Sequence, residues 1–491
     1  MRITFYYIKS YEEGVKLSIE IIGRQREWRK LEKTMEENTP QLVIVNGRRR
    51  VGKTYLINHF FQHKYAFQIT GGQNYSKENS LKTFARQLSV YSGSPCPTPR
   101  DWDEAFWSLE DYLSTRSEDE KLVVFFDEMP WLAKPSSEFM LAFESFWGNW
   151  AEQHDNLVFI ACGSVTSWMT EKVFHNRGGL FRRCTCKLDL EPLKLYEVEE
   201  LLMSKGISLP RQDIARGYMI LGGIPEYWNL LDKKLSLSQN IDEMFFRDNG
   251  QMRNEILDLY QVLSSHSEDY MQVAKCLSQK RGGMTQEQIE KQVSLTGPED
   301  LTKILNNLKL SGFVKIAYVF GRNIENPVYQ MADFYTAFYF HYVHGRSVIP
   351  DFWSLTMQDA GREAWEGLTF EQLCKNHVEQ IKDALGIKAA TAECTWSSRG
   401  DASRDIPGAQ VDLVLDRYDN VINLCEIKFW NDVHTLTKDM ENALRRKLES
   451  FRAMTGTKKA IQVTMITPFG VKVGANSIVS NQVTLDDLFQ R

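Results

Sequence analysis

Gly47-Arg48-Arg49-Arg50-Val51-Gly52-Lys53-Thr54 sets two glycines, a lysine and a hydroxyl at the spacing that wraps a polyphosphate. Glycines let backbone N–H groups turn inward around anionic oxygens, Lys53 reaches the β and γ oxygens, and Thr54 offers its hydroxyl to magnesium. Further on, the run LVVFF ends in Asp127 and Glu128. Carboxylates that close a buried strand stay solvated at the sheet edge, where Asp127 would hold the magnesium shell and Glu128 would orient or deprotonate an attacking water. Ser164 ends the next apolar run and is either a polar sensor of the γ-phosphate or a turn residue. Arg177, Arg182 and Arg183 follow in HNRGGLFRR; their guanidinium groups would either stabilise transition-state charge, in cis or from a neighbouring subunit, or lie solvated on the surface. ATP and Mg2+ are therefore the expected cofactors, with all eight residues from Gly47 to Thr54 forming the nucleotide grip.

A second constellation lies near the carboxyl end. Asp412 stands in VDLVL, and Glu426 and Lys428 stand in NLCEIKF beyond a turn at DRYDN. Strand side chains alternate, so Glu426 and Lys428 share a face while Ile427 enters the other, and Asp412 converges on them across the hairpin. Two carboxylates and an ammonium outline a metal-and-water site: the carboxylates would bind magnesium and Lys428 would position or deprotonate the water attacking a phosphodiester. The same spacing also occurs in exposed amphipathic strands, so a tail that binds DNA or protein without cutting is the alternative.

These groups need a scaffold. From about 21 to 195, short β-rich runs alternate with amphipathic helical stretches, as in a parallel α/β sheet. The clearest strands are QLVIVNG at 41–47, LVVFFDE at 122–128 and LVFIACGS at 157–164, and SGSPCPTPRD at 92–101 is a loop. Helical periodicity dominates from 196 to 260, interrupted by GGIPEYW. Between 261 and 345, helices lead into a hairpin, VKIAYVFGRNIENPVYQM, and then an aromatic helix, DFYTAFYFHYV; helices followed by a hairpin are the order of a winged helix. Its recognition helix would be PEDLTKILNNLKLSG, offering Lys303, Asn306, Asn307 and Lys309 to DNA, although charges across 268–325 nearly cancel and such modules also dock proteins. Residues 346–491 give a helix, GLTFEQLCKNHVEQIKDAL, two strands and further α/β elements.

Composition bounds the reading. A chain of 491 residues exceeds what one core serves, so several domains are expected. With 43% hydrophobic and 25% charged residues and a net charge of -5, it has no global basic field, and nucleic-acid contact must come from local patches. The eight cysteines lack zinc or disulfide-framework spacing, which fits a reducing cytoplasm; Cys184 and Cys186 read as ordinary thiols. No apolar run approaches the roughly 20 residues that span a bilayer, and residues 1–20 read as a leader without secretory pattern.

IIGRQREWRKLE, NGRRRVGKT, FFDEMPWL, ACGSVTSWM, LEPL at 190–193 and GGIPEYW together resemble the AAA+ superfamily, and more narrowly the prokaryotic and archaeal-type ATPases related to the origin-recognition and STAND branches. The resemblance covers roughly 21–340 and implies that GGIPEYW belongs to a helical lid followed by a winged helix, though no lid arginine stands beside it. The tail resembles the PD-(D/E)XK, restriction-endonuclease-like fold, with Val411 in place of the usual proline. That resemblance implies a further metal-binding carboxylate at Glu371 in the preceding helix. The expected fold class is thus α/β: a P-loop NTPase parallel sheet (21–195), a helical lid (196–260), a winged helix with linker helix (261–345) and a nuclease-like α/β domain (346–491). The expected partners are ATP, DNA and a second copy of the chain supplying an arginine in trans, with no membrane.

Overall fold

The computed structural model describes residues 21–133, 138–164, 183–264, 266–280, 282–321 and 327–491. Residues 1–20 and the candidate arginines Arg177 and Arg182 lie outside the described residues. Strands β1 (Gln41–Asn46), β2 (Phe67–Thr70), β3 (Leu122–Asp127), β4 (Leu157–Gly163) and β5 (Cys186–Asp189) form a parallel sheet in the order β2-β3-β4-β1-β5. β1, β3 and β4 are buried along their whole length, which is why they read as continuous apolar runs. Their alternate residues feed two cores. Leu42, Ile44, Val124, Phe126 and Phe159 face one layer of helices, and Val43, Val45, Val123, Phe125 and Ile160 the other. β2 and β5 did not stand out in the sequence, because four half-exposed residues carry little periodicity. Cys184 and Cys186, at the start of β5, are free thiols, and burial pushes Cys184 up to about 11.

The loop after β5 returns to the second half of the chain through LEPL. Leu193 N–H donates to the Gly223 carbonyl at 2.7 Å, and a Cβ on Gly223 would lie 1.9 Å from the Leu193 oxygen, so only glycine fits this approach. Trp228 Nε1 closes the motif on the Gly222 carbonyl at 2.7 Å. From Leu193 to Phe489 one connected apolar cluster runs through the helices Leu195–Ser204, Arg211–Leu221, Leu237–Phe245, Ser267–Gln279 and Ala360–Asn376. The expected boundaries near 260 and 345 therefore fall within a shared core.

Between 267 and 331 the order is helix Ser267–Gln279, strand β6 (Met284–Thr285), helices Gln286–Glu290 and Leu301–Leu310, then β7 (Val314–Ala317) and β8 (Val328–Met331), in an antiparallel sheet ordered β6-β8-β7. Beyond β7, Phe320 N–H donates to the Thr395 carbonyl at 2.8 Å and Thr395 N–H donates to Tyr318 at 2.9 Å, tying this hairpin to the tail. Asn307, offered above as a DNA contact, is instead buried and donates to the Tyr270 hydroxyl at 2.6 Å. Lys303 pairs with Glu299 at 3.0 Å.

The tail sheet runs β15 (Val479–Val483), β13 (Ala460–Ile466), β11 (Val421–Ile427), β10 (Ile406–Arg417), β9 (Thr391–Asp401). β9, β10 and β11 are antiparallel, whereas β11, β13 and β15 are parallel because the helix Lys438–Thr455 crosses over between β11 and β13. A two-stranded ribbon, β12 (His434–Thr435) with β14 (Val471–Lys472), borders it.

The stretch GLTFEQLCKNHVEQIKDAL reads as one helix but breaks at His377 into Ala360–Asn376 and Val378–Ala384. His377 is fully buried; its Nε2 accepts from Leu195 N–H at 3.1 Å, so Nδ1 carries the proton toward the Leu373 carbonyl, 2.9 Å away. Burial pushes its pKa down to about 4. The unfolded imidazole, near 6.5, binds a proton that the folded one refuses, so this contribution is present above about pH 6.5 and is lost as pH falls toward 4, roughly 3 kcal/mol across the window. Urea midpoints measured from pH 7 to 4 should therefore fall more steeply for the native chain than for His377→Asn. Parallel slopes would contradict the assignment.

Candidate functional site

The phosphate loop joins β1 to the helix Lys53–Phe61. Gly52 takes φ 94° at the helix N-cap, a left-handed turn that aims the following amides and the positive helix end at the space before them. Lys53 is 5% exposed; its ammonium donates to the Gly47 and Arg48 carbonyls at 3.0 Å and to Ser164 Oγ at 3.2 Å. One cation thus spans the first loop, the end of β4 and the helix start.

Thr54 Oγ1 lies 3.0 and 3.1 Å from the two Asp127 carboxylate oxygens, at the end of β3. Burial, followed by the charge of Glu128, pushes the Asp127 carboxyl up, against the Thr54 hydrogen bond and Lys53. A hydroxyl beside a carboxylate strained in this way is the oxygen-only donor set that magnesium takes, so Thr54 and Asp127 fit the ion. Glu128 has φ 49°, a left-handed conformation that an L side chain holds only when its surroundings fix it. Ser164 fixes it: the Ser164 backbone N–H donates to Glu128 Oε2 at 3.1 Å and the Ser164 hydroxyl to Oε1. Ser164 therefore touches both Lys53 and Glu128, and the ends of β1, β3 and β4 bring together every candidate on this edge.

The three loop arginines turn their side chains away from Lys53. Arg48 is buried with its Nη1 2.5 Å from Asp333 and its guanidinium 4.8 Å over the Phe313 ring. Arg50 grips Glu255 with two bonds of 2.5 and 2.6 Å and also pairs with Glu226 of GGIPEYW. Arg49 reaches the Asp258 carbonyl at 3.5 Å. Their part in a phosphate grip thus falls to the backbone, with Val51 buried beneath; Arg24, a residue that no motif singles out, donates to the Val51 carbonyl at 3.0 Å. Arg183 corrects an expectation. It precedes β5 and pairs with Glu152, which precedes β4, so it sits at the sheet edge opposite the loop and cannot serve a phosphate in cis.

In the tail, Asp412 Oδ2 accepts from Ile427 N–H at 3.0 Å, and Lys428 Nζ lies 2.8 Å from Glu426 and 3.9 Å from Asp412, so the hairpin converges as its alternation requires. Glu371 joins them electrostatically: burial and the charge of Asp412 push it up to about 7. Burial and Glu426 likewise raise Asp412. Burial alone would raise Glu426, but Lys428 and Lys447 outweigh it and hold the carboxyl below its ordinary range. Lys447, from the helix Lys438–Thr455, donates to Glu426 Oε2 at 2.6 Å and was invisible in the sequence, since nothing in LRRKLESF distinguishes it from a solvated lysine. Among the described residues, no group of three or more His, Cys, Asp or Glu side chains is arranged to hold a metal ion. Of the expected set of Glu371, Asp412 and Glu426, Glu426 meets two ammonium groups and Asp412 accepts from a backbone amide.

Among the described residues no helix is long and apolar enough to cross a membrane. Residues 21–231 match the model of an ATPase domain found predominantly in Archaea. The uncharacterized protein MJECL04 of Methanocaldococcus jannaschii is 23% identical over 422 residues, 84% of this chain and 88% of that protein. An uncharacterized ATP-binding protein of the same organism, MJ0423, is 46% identical over 43 residues, 9% of this chain and 73% of that protein. Among solved structures, the Walker-type ATPase of Pyrococcus abyssi aligns at TM-score 0.47 and 18% identity, over 65% of this chain and 96% of that one. The ORC2 protein of Aeropyrum pernix, in its ADPNP–ADP complexes, aligns at TM-score 0.42 and 15% identity over 66% and 93%.

Proposed function

We propose, from the match of residues 21–231 to an ATPase domain found predominantly in Archaea, that the chain binds ATP with Mg2+ at Gly47–Thr54 and hydrolyses it. One observation carries this reading: Lys53, Thr54, Asp127, Glu128 and Ser164 meet at one sheet edge through direct hydrogen bonds. Lys53 would neutralise the β and γ oxygens, while Thr54 and Asp127 would hold the magnesium ion, which when bound polarises the phosphates. Glu128, aimed by Ser164, takes a proton from water or orients it. Calorimetry with ATP and Mg2+ tests the reading, and an absence of heat that differs between native protein and Lys53→Ala would end it.

Nucleotide state is coupled, in this reading, to DNA engagement. The element order from 267 to 331 is that of a winged helix, and Thr302, Lys303, Asn306 and Lys309 lie on the exposed face of its third helix. For the tail, the strand order and the Asp412, Glu426, Lys428 convergence support a PD-(D/E)XK-like fold. A second reading of its role, binding without cutting, is favoured by Lys447: with Glu426 held between two ammonium groups, the donor set does not fit a metal. We adopt that second reading. Supercoiled DNA incubated with the protein and Mg2+ or Mn2+ should show no more nicking than with Glu426→Ala. Metal-dependent nicking that vanishes in Glu426→Ala and Asp412→Ala would restore the nuclease. A second copy supplying an arginine in trans belongs to the same reading, and sedimentation with and without ATP tests for it.

A further inference from the structure

Three arginines in a phosphate loop are a puzzle in charge. They stand beside the place where an anion would sit, yet two of them spend their charge on carboxylates from elsewhere in the chain. Arg48 pairs with Asp333, which also caps the next helix by accepting from Thr336 N–H at 3.0 Å and Oγ1 at 2.6 Å. Arg50 spans Glu226 and Glu255, and Glu255 is held from its other side by the Tyr227 hydroxyl at 3.0 Å. These partners belong to GGIPEYW, to the helix Glu255–Gln261 and to the segment that follows β8. Thus two residues of one loop are tied to three elements that share a core with the tail.

The ties also shape the loop. Arg50 has φ 69°, a left-handed conformation that a non-glycine residue keeps only when its surroundings hold it. Its bidentate grip on buried Glu255 is such a hold. Arg48 is 7% exposed, and its Nε and Nη2 are buried without hydrogen-bond partners. A buried cation satisfied at only one nitrogen is an expensive way to stabilise a fold, and apolar residues would do so at less cost.

We infer that Arg48 and Arg50 are positioning residues that convert phosphate occupancy of the loop into the arrangement of the Asp333, Glu226 and Glu255 elements. The inference rests on the ATP reading of the loop and names its mechanical output. When phosphates draw the amides of residues 48–51 into one conformation, the two side chains leave the loop at fixed positions and hold their carboxylates there. By linkage, the same ties favour the loop conformation that receives phosphate. ATP and the latches therefore strengthen each other.

Arg50→Gly separates backbone from side chain, since glycine keeps the left-handed turn and carries no guanidinium. A second variant, Arg48→Met with Asp333→Asn, removes the other latch without stranding a buried charge and leaves a capping side chain on the helix. Hydrogen exchange over 255–261 and 333–338 is compared with and without a saturating non-hydrolysable ATP analogue and Mg2+, with affinity read by calorimetry. In the native chain the analogue should slow exchange there by about 5–150-fold, the usual range of coupling between sites. In each variant the analogue still binds, more weakly, and at saturation the slowing falls below about 2-fold in the elements that lost their latch. Protection that persists in both variants at saturation, or binding without protection in the native chain, would overturn the coupling and leave the ATP site intact. No binding to the native chain would overturn both.

Discussion

Glu128→Gln is expected to keep ATP binding and to lower hydrolysis by about 10²–10⁴-fold, the usual worth of a positioned general base. The geometry explains why the loss should be confined to the chemical step. Lys53, Thr54 and the loop backbone make no bond to Glu128, so the grip on the polyphosphate survives. Glutamine keeps one oxygen for the Ser164 amide and offers its NH2 group to the Ser164 hydroxyl, so the left-handed turn at 128 retains its support. What disappears is the carboxylate's capacity to take a proton. Lys53→Ala makes the contrast: it removes the ammonium that bridges Gly47, Arg48 and Ser164, and binding itself should fail. Steady-state phosphate release and calorimetry on the two variants give the comparison. Hydrolysis in Glu128→Gln within a few-fold of native would move the water-activating role elsewhere.

The edge of the first sheet was legible from sequence because its logic is local. A glycine-rich turn between a buried strand and a helix, followed by a buried strand ending in two carboxylates, constrains both the residues and their neighbours. Even the pairing of Thr54 with Asp127 follows from strand order once β1 and β3 flank β4. The D…ExK hairpin was legible for the same reason, since period-two alternation decides which side chains meet. What stayed hidden is long-range. Asp333 lies 285 residues from Arg48, and Glu255 lies 205 from Arg50, so no spacing rule connects them. Lys447 reached Glu426 only because a crossover helix packed across the tail sheet, chiefly on β10. Arg183 was misread for a related reason: proximity to a strand in sequence does not say which end of a parallel sheet a residue occupies, and the short strand β5 that would have settled it has too few residues to be seen. Asn307 sits one position from an exposed asparagine, and a shift of about 100° around a helix separates a surface contact from a core hydrogen bond.

The Arg48 and Asp333 pair should respond to single and double substitution very differently. Asp333→Asn leaves a guanidinium that is 7% exposed without a counter-charge, and breaking a buried pair from one side costs about 3–5 kcal/mol. Arg48→Met leaves Asp333 buried but still accepting twice from Thr336, so its cost should be the smaller of the two. In the double variant no charge remains unpaired. Two nitrogens of Arg48 already lack partners and its guanidinium lies against the Phe313 ring, a surface that a methionine thioether also covers well. The double variant should therefore recover part of the loss, with a coupling energy of about 0.5–3 kcal/mol for residues in direct contact. Urea unfolding of the three proteins, monitored by tryptophan fluorescence, measures this cycle. If the double variant stays as unstable as Asp333→Asn alone, the pair stabilises the fold on its own account and has no need of a coupling role. If stability returns while nucleotide-dependent protection does not, a costly buried charge pair has been kept for communication between the phosphate loop and the rest of the chain.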